Sequence, residues 1–561
     1  MLTTLLAWIY ITFLCWTWGI LFLLFTKKIT KDDLVLPHFS IVCITGLSMI
    51  TIVAGIASIF IPLGEWWVQL FFIAPCAILL YKKDSPSFFT SFRKEFFELN
   101  VIPAILLSAC LLMTLVMSTW TIVHPDTLGY HAQTIQWIEK YKTVPGLVHL
   151  HVRFGYQGLW FVDCALFGFS FAGKGGITFL NSTLLLWFFI FIINRINFNF
   201  FKEGKKIPGL LWLVFLMLSM WSYTQVRLTA TSASPDFIAA IFVLTIIYLL
   251  LEKNHYPPNA SNWLLVTFLS LVAVTIKLSV APILLISVAA AFVFLKQNRF
   301  IPFLTLIALS ILIFSPFFIR NIITSGYVIF PSTTLDVTKV DWKYPKEFAA
   351  NEKNYITAYA KKPGVRSIEE INSVVKMSPA QWIPGWWQSR SIADKSIVIL
   401  LILSFLAGLL FIKEIIRAGS VSILILATML SGIIFWFVNA PDPRFGFGFI
   451  IGFMGSVACL FLKEEEILIR KYMSQATLLI FSTIILAYTG YRFINFFSKD
   501  QLVVPLGIAK SEYKSFECHD LKINSPLAGE YPGAIPVPCA DNYCERFSPR
   551  GHKIIDGFRA K

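Results

Sequence analysis

Apolar runs of about 20 residues recur from end to end of the chain, parted by short polar turns. Runs of that length cross a bilayer as helices, because a helix closes its backbone hydrogen bonds within itself. Barrel strands would alternate apolar and polar positions, and these runs do not. Spans are predicted near 4–26, 40–62, 66–81, 101–122, 176–197, 208–226, 233–251, 262–277, 278–295, 300–319, 396–412, 419–439, 445–462 and 474–493. The pattern predicts an all-α polytopic membrane protein of about 14 transmembrane helices. It divides into N-terminal helices over 1–100, a core over 101–493 with polar loops at 123–175 and 320–395, and a tail over 494–561. No internal repeat is visible.

The loop charges set the expected sidedness. Lys27, Lys28 and Lys31, then Lys82, Lys83, Arg93 and Lys94, then Lys202, Lys205 and Lys206, then Lys253, Lys296 and Arg299 fall in alternate short loops, as the positive-inside rule expects. Residues 1–26 have no basic start and are flanked by lysines afterwards, which predicts a first span with its N-terminus outside. The run 156–172 holds Asp163 and two glycines. If it crossed, every later basic loop would invert. It is expected to be a juxtamembrane helix on the outer side, an arrangement tolerated where protein covers the backbone. The tail and the 76-residue loop from Arg320 to Lys395 are then outer as well.

Composition agrees with the pattern. The chain is 57% hydrophobic with 14% charged residues, against about 25% charged in soluble proteins. Its mean hydropathy is +0.71. The net charge of +15 is accounted for by the inner loops and gives no reason to expect nucleic acid. It leaves room for an anionic substrate or anionic membrane lipids. Of nine cysteines, six lie in or beside apolar runs as small packing residues. Cys518, Cys539 and Cys544 lie in the tail, where one disulfide is expected, with Cys539–Cys544 as the short-loop option.

With sidedness assigned, isolated polar residues gather at the outer ends of the spans. The densest stretch is His124–Arg153, which follows an apolar run and holds Asp126, Arg153 and four of the eight histidines: His124, His131, His149 and His151. Within it, Thr134–Lys142 suits an amphipathic helix. Arg227 and Asp236 flank the turn RLTATSASPDF, Lys277 lies in TIKLS, Arg320 and Asn321 follow the span ending in FFIRN, and Asp442 and Arg444 lie in NAPDPRFGF. Each also has a structural reading. Asp126 and Asp236 suit helix starts. Lys277 and Arg320 suit snorkelling anchors, and Asp442 with Arg444 suits a local ion pair. The histidines complete no metal-ligand spacing, so no metal or other cofactor is expected, although a divalent metal stays open.

In order, these motifs resemble the GT-C superfamily of polytopic glycosyltransferases, which includes protein O-mannosyltransferases and bacterial aminoarabinose transferases. The match rests on Asp126 in the first outer loop, a juxtamembrane run at 156–172, SASPD with Asp236, Lys277-Leu278-Ser279, Arg320-Asn321…Thr324-Ser325-Gly326…Pro331, and PDPRF at 441–445. It covers roughly residues 100–460. Three spans precede the motifs, and Asp126-Thr127 stands where the family more often has two adjacent acids.

The resemblance implies a GT-C-like bundle with outer juxtamembrane helices in a bacterial inner membrane, its active site on the extracytoplasmic side. It implies transfer of a sugar from a polyprenyl-phosphate-linked donor to a glycan, lipid or protein acceptor. Asp126 would be the general base and Asp236 the second carboxylate. Lys277, Arg320, Arg444, Arg153 and Arg227 would bind phosphate, with His131 contacting donor or acceptor. The aromatic loop around Trp382, Trp386 and Trp387 would serve as a sugar platform. A transporter or flippase, or a polymerase or ligase of lipid-linked glycans, is the competing expectation.

Overall fold

The computed structural model describes residues 1–32, 36–81, 88–173, 176–202, 220, 228–252, 259–417, 419–461, 471–519, 521–527, 532–540 and 544–561. The expected span 208–226 and Arg227 lie outside the described residues, apart from Met220. Among the described residues, nine helices are long and apolar enough to cross a membrane, from Leu2–Thr30 to Gln475–Phe496. Four more of the expected spans are shorter or less apolar helices: Val68–Tyr81, Asp236–Leu251, Ala260–Ile276 and Pro443–Phe461. The chain is an integral membrane protein dominated by helices. Its periphery agrees, since Ile311, Leu403 and Leu410 are large apolar side chains left exposed on helices that a bilayer would cover.

Small residues let the interior helices close on one another. A side chain on Gly19 would meet the Val42 carbonyl at 2.0 Å, and one on Gly46 would meet the Cys15 carbonyl at 1.6 Å. The helices Leu2–Thr30 and Phe39–Phe60 therefore touch backbone to backbone, as lipid-embedded helices do where glycines face each other. Buried polar groups pair across this core. The Trp8 indole donates to Ser182 Oγ at 2.8 Å, and that of Trp187 to Thr12 Oγ1 at 3.0 Å.

The bundle has two ends, and contacts assign segments to each. At one end Lys202 meets Glu98 at 3.3 Å, Asn100 donates to Asn197 Oδ1, and Asp32 pairs with Arg299 at 2.9 Å. Helix Val101–Ser118 leads from that end toward Asp126, and Phe179–Asn197 leads back to it. The run 156–172 therefore stays at the far end. It folds as the seven-residue helix Trp160–Leu166 and a single turn at Ser170–Ala172. Seven residues rise about 10 Å, far short of a bilayer core of about 30 Å.

At the far end the tail packs on the first loop. Strand Tyr513–Cys518 pairs antiparallel with Leu521–Pro526, and Phe547–Pro549 with Phe558–Ala560. These hairpins share an apolar core with Trp137, Val144, Leu147, Leu150 and Phe154. Gln133 Nε2 donates to the Ile535 carbonyl at 2.6 Å, and Phe558 N to that of Pro145 at 2.9 Å. The disulfide joins Cys518 to Cys544, which corrects the expected Cys539–Cys544 pairing. The hairpin carries Cys518 to the site facing Cys544, while Cys539 is buried alongside Asn524 in a parallel bridge.

The loop after residue 320 also departs from expectation. Helix Phe300–Ser325 runs past the predicted end, so Arg320 and Asn321 lie inside it, and the chain turns at Gly326 with φ 79°. Arg320 Nη1 and Nη2 donate to Ser58, Thr143 and Gln157, and Asn321 accepts from Phe330 N, so the helix outlasts the apolar run that announced it. The loop itself forms the helices Lys346–Lys361, Ile368–Lys376 and Pro379–Ser389.

Candidate functional site

Proline 125 ends the extended approach from the membrane, and the chain turns at once into helix. The first turn, Thr127–His131, is a π-turn that runs into the α-helix Ala132–Lys140. Such widened turns gather at functional sites. Asp126 stands just before this turn but makes no side-chain cap bond to it. Its carboxylate is turned to Arg444 instead: Arg444 Nη1 donates to Asp126 Oδ2 at 2.9 Å. Capping alone therefore does not account for Asp126.

Arg444 joins three carboxylates from different parts of the chain. Beyond Asp126, its Nε lies 3.7 Å from Asp236 Oδ2 and 3.7 Å from Asp442 Oδ1. Asp236 opens the helix Asp236–Leu251 and is paired in turn with Lys277. Lys277 has an extended backbone, φ −153° and ψ 121°, because the helix Ala260–Ile276 ends there and a 3-10 turn follows. That break aims its ammonium at Asp236 and over the Phe445 ring, 4.3 Å from the centroid. On the other flank Arg153 lies 3.8 Å from Asp126 Oδ1 and 3.7 Å from Glu352 Oε1, and Glu352 accepts from the Tyr156 hydroxyl. Arg390 completes the set at 3.2 Å from Asp442 Oδ2.

The result is one connected network of four carboxylates and four cations, so its formal charges cancel. It is partly open: Asp126, Arg153 and Arg444 each keep about a quarter of their side-chain surface exposed, whereas Asp236 keeps 11%. Burial raises the Asp126 pKa, but the fixed charge of Arg444 above all, with Arg153, outweighs it and holds the carboxyl well below its usual range. An ionised carboxylate sits at the accessible edge of a set of fixed cations.

Five of the expected site residues meet here: Asp126, Arg153, Asp236, Lys277 and Arg444. His131 lies behind them. Its Nδ1 is 3.0 Å from Thr127 Oγ1, its ring lies 5.7 Å from that of His124, and burial pushes its pKa down to about 3. It is a neutral support for the turn that carries Asp126. Arg320 is not joined to this network. It bonds to Ser58, Thr143 and Gln157. Arg227 lies outside the described residues.

The remaining histidines are used singly. His149 Nε2 pairs with the Trp342 carbonyl at 3.0 Å, and His151 Nδ1 accepts from Arg153 N at 3.2 Å. Among the described residues, no group of three or more His, Cys, Asp or Glu side chains is placed to hold a metal ion. The aromatic loop is also more structural than expected. Trp382 and Trp386 are buried edge to face, and the Trp386 indole donates to the Pro441 carbonyl at 2.8 Å, bracing the turn that carries Asp442 and Arg444.

Glu352, Arg390 and Tyr156 were missed by sequence reasoning. Glu352 and Arg390 lie in or beside soluble-looking helices of the long loop, and nothing in their local pattern separates them from solvated surface charge. Asp442 was noted only as a neighbour of Arg444.

A family model described as "Domain of unknown function (DUF8201)" matches residues 1–451. No curated protein and no solved structure matches the chain.

Proposed function

The chain belongs to the DUF8201 family, and we propose that it acts there as a membrane glycosyltransferase of GT-C type, moving a sugar from a polyprenyl-phosphate-linked donor to an extracytoplasmic acceptor hydroxyl or amide. The observation that carries this reading is the Asp126–Arg444–Asp236–Lys277 network, which sets an ionised carboxylate beside cations at one end of a lipid-embedded bundle. The end rich in Lys and Arg loops is then cytoplasmic by the positive-inside rule, and the network faces outward.

The reaction needs a proton acceptor and a site for leaving phosphate. The acceptor X–H would attack the anomeric carbon as Asp126 takes its proton. The C1–O bond to phosphate would break, and the polyprenyl phosphate would leave with the electron pair. Arg444 offers a planar fork and Lys277 a point charge for that oxyanion, at fixed positions that need little reorganisation. The network is neutral by itself, so an arriving phosphate must compete with Asp126, Asp236 and Asp442 for the same cations. Drawing Arg444 toward phosphate removes the chief influence holding the Asp126 pKa down, and its basicity rises once donor is bound. Asp236 would keep Lys277 and Arg444 in place.

A transporter or flippase reading is less well served, because carriers concentrate polar groups at the bilayer midplane between repeats, and this network sits at helix ends. A polymerase or ligase of lipid-linked glycans would use the same chemistry on a larger group. The test compares surface glycans and lipid-linked sugar pools in cells expressing wild type, Asp126→Asn or Asp236→Asn at matched protein levels. Loss of product with accumulated donor in Asp126→Asn is expected. Unchanged glycans in that variant would sink the proposal.

A further inference from the structure

Arg320 is a second buried cation, and it lacks a counter-charge. It is 2% exposed. Nη1 donates to Ser58 Oγ and Thr143 Oγ1, each at 2.7 Å, and Nη2 to Gln157 Oε1 at 2.5 Å. All three partners are neutral. Among the described residues, no carboxylate forms an ion pair with it; every recorded bridge to Asp or Glu goes to other cations, such as Arg153, Arg390 and Arg444. Removing a cation from water with no anion costs several kcal/mol in general.

Beside the guanidinium is a small cavity lined by Arg320, Thr134, Trp137, Lys142, Thr143 and Gln157, among others. Three buried atoms on these side chains have no hydrogen-bond partner: Arg320 Nε, Trp137 Nε1 and Thr134 Oγ1. Each can donate. Trp137 and Thr134 lie three residues apart on the helix Ala132–Lys140, so they share a face. Lys142 stands exposed at the margin and adds a second positive charge. The cavity is small, with space for a single ion or solvent molecule. A water has two lone pairs for these three donors, whereas a monatomic anion can accept from all of them and carries the missing charge.

We propose that this cavity is a binding site for a monatomic anion, chloride in a saline environment. One such ion would accept from Arg320 Nε, Trp137 Nε1 and Thr134 Oγ1 together and neutralise the guanidinium. The site is separate from the carboxylate–cation network and does not depend on the transferase proposal. It lies where Ser58, Thr143 and Gln157 converge, so occupancy would tie the first outer loop to helices Phe39–Phe60 and Phe300–Ser325.

The experiment uses full-length protein in detergent, melted in sodium chloride, sodium bromide, sodium sulfate or sodium gluconate at equal ionic strength. Chloride-35 line broadening is measured on the same samples. A saturable rise in Tm of about 2 °C in chloride and bromide over gluconate is expected at ten times Kd, with line broadening that bromide displaces. Thr134→Val with Trp137→Phe, which removes both neutral donors and leaves Arg320 intact, is expected to abolish both signals. Equal Tm in all four salts, an effect confined to sulfate, or full chloride binding by the double variant would each overturn the proposal.

Discussion

Arg444 Nη1 stands 2.9 Å from Asp126 Oδ2, although 318 residues separate them along the chain. The contact joins the loop that follows Val101–Ser118 to the first turn of the helix Pro443–Phe461. It also places a carboxylate within reach of a cation that two other carboxylates share.

Removing that cation leaves Asp126, Asp236 and Asp442 facing one another without their common partner. Arg444→Gln is therefore expected to destabilise the protein by about 3 kcal/mol, seen as a lowered Tm. Adding Asp236→Asn relieves the repulsion, so the double variant should melt above Arg444→Gln alone. Equal or lower melting of the double variant would mean that the shared contacts carry no coupling.

Lysine 277 distinguishes charge from geometry. Lys277→Arg keeps the charge but must fit a larger planar group beside Asp236 and the Phe445 ring. On the transferase proposal it should retain stability within about 1 kcal/mol and lose about 100-fold in kcat. Lys277→Met, which strips Asp236 of its closest partner, should lose both activity and stability. Full activity in Lys277→Met would remove this residue from the phosphate site.

Glutamate 139 predicts a pH dependence. Burial pushes its pKa up to about 8, above an unfolded value of about 4.3. The folded state then holds a proton that the unfolded state has lost, and stability falls as pH rises through that window. Glu139→Gln should flatten the fall and raise stability at pH 7.5 by about 1 kcal/mol, after allowing for solvent screening. Melting curves from pH 5 to pH 8.5 check it; parallel wild-type and variant profiles would contradict the assignment.

The disulfide can be checked by mass mapping. Non-reducing digestion should yield a Cys518–Cys544 peptide pair, with Cys539 outside it. Closing a loop of 26 residues contributes about 3.5 kcal/mol in the chain-entropy view. Cys518→Ser and Cys544→Ser should lower Tm by similar amounts, and Cys539→Ser by less. A Cys539-linked peptide would reverse the pairing.

Paired cysteines test the end-to-end arrangement. Glu98→Cys with Lys202→Cys should be bridged by a short bifunctional thiol reagent, since the native side-chain tips meet at 3.3 Å, and both should label from the side opposite His552. Crosslinking failure with labelling from opposite sides would mean that 156–172 crosses the membrane.

Much of the architecture was already present in one-dimensional pattern. Apolar run length alone announces the spans, because backbone hydrogen bonding leaves a lipid-embedded chain little choice but helix. Loop charge alone implied that 156–172 does not cross, and the Glu98–Lys202 contact agrees. Asp126, Asp236, Lys277 and Arg444 stood out because a charge is rare at the end of an apolar run. Glu352 and Arg390 did not stand out, because a charge in a polar loop carries no such contrast.

Partnership is what the sequence by itself left open. Whether Asp126 caps its own helix or reaches Arg444, whether Cys544 takes Cys539 or Cys518, and whether Arg320 joins the charged network all depend on which segments arrive at one place. Local propensity acts over a few residues, and these contacts span tens to hundreds. The tertiary structure decided them: the helix breaking at Lys277, the turn braced by Trp386, and the hairpins seated on the loop that holds Asp126 bring the partners together. Sequence determined a lipid-soluble helical bundle with charges at its ends; packing decided which of those charges meet.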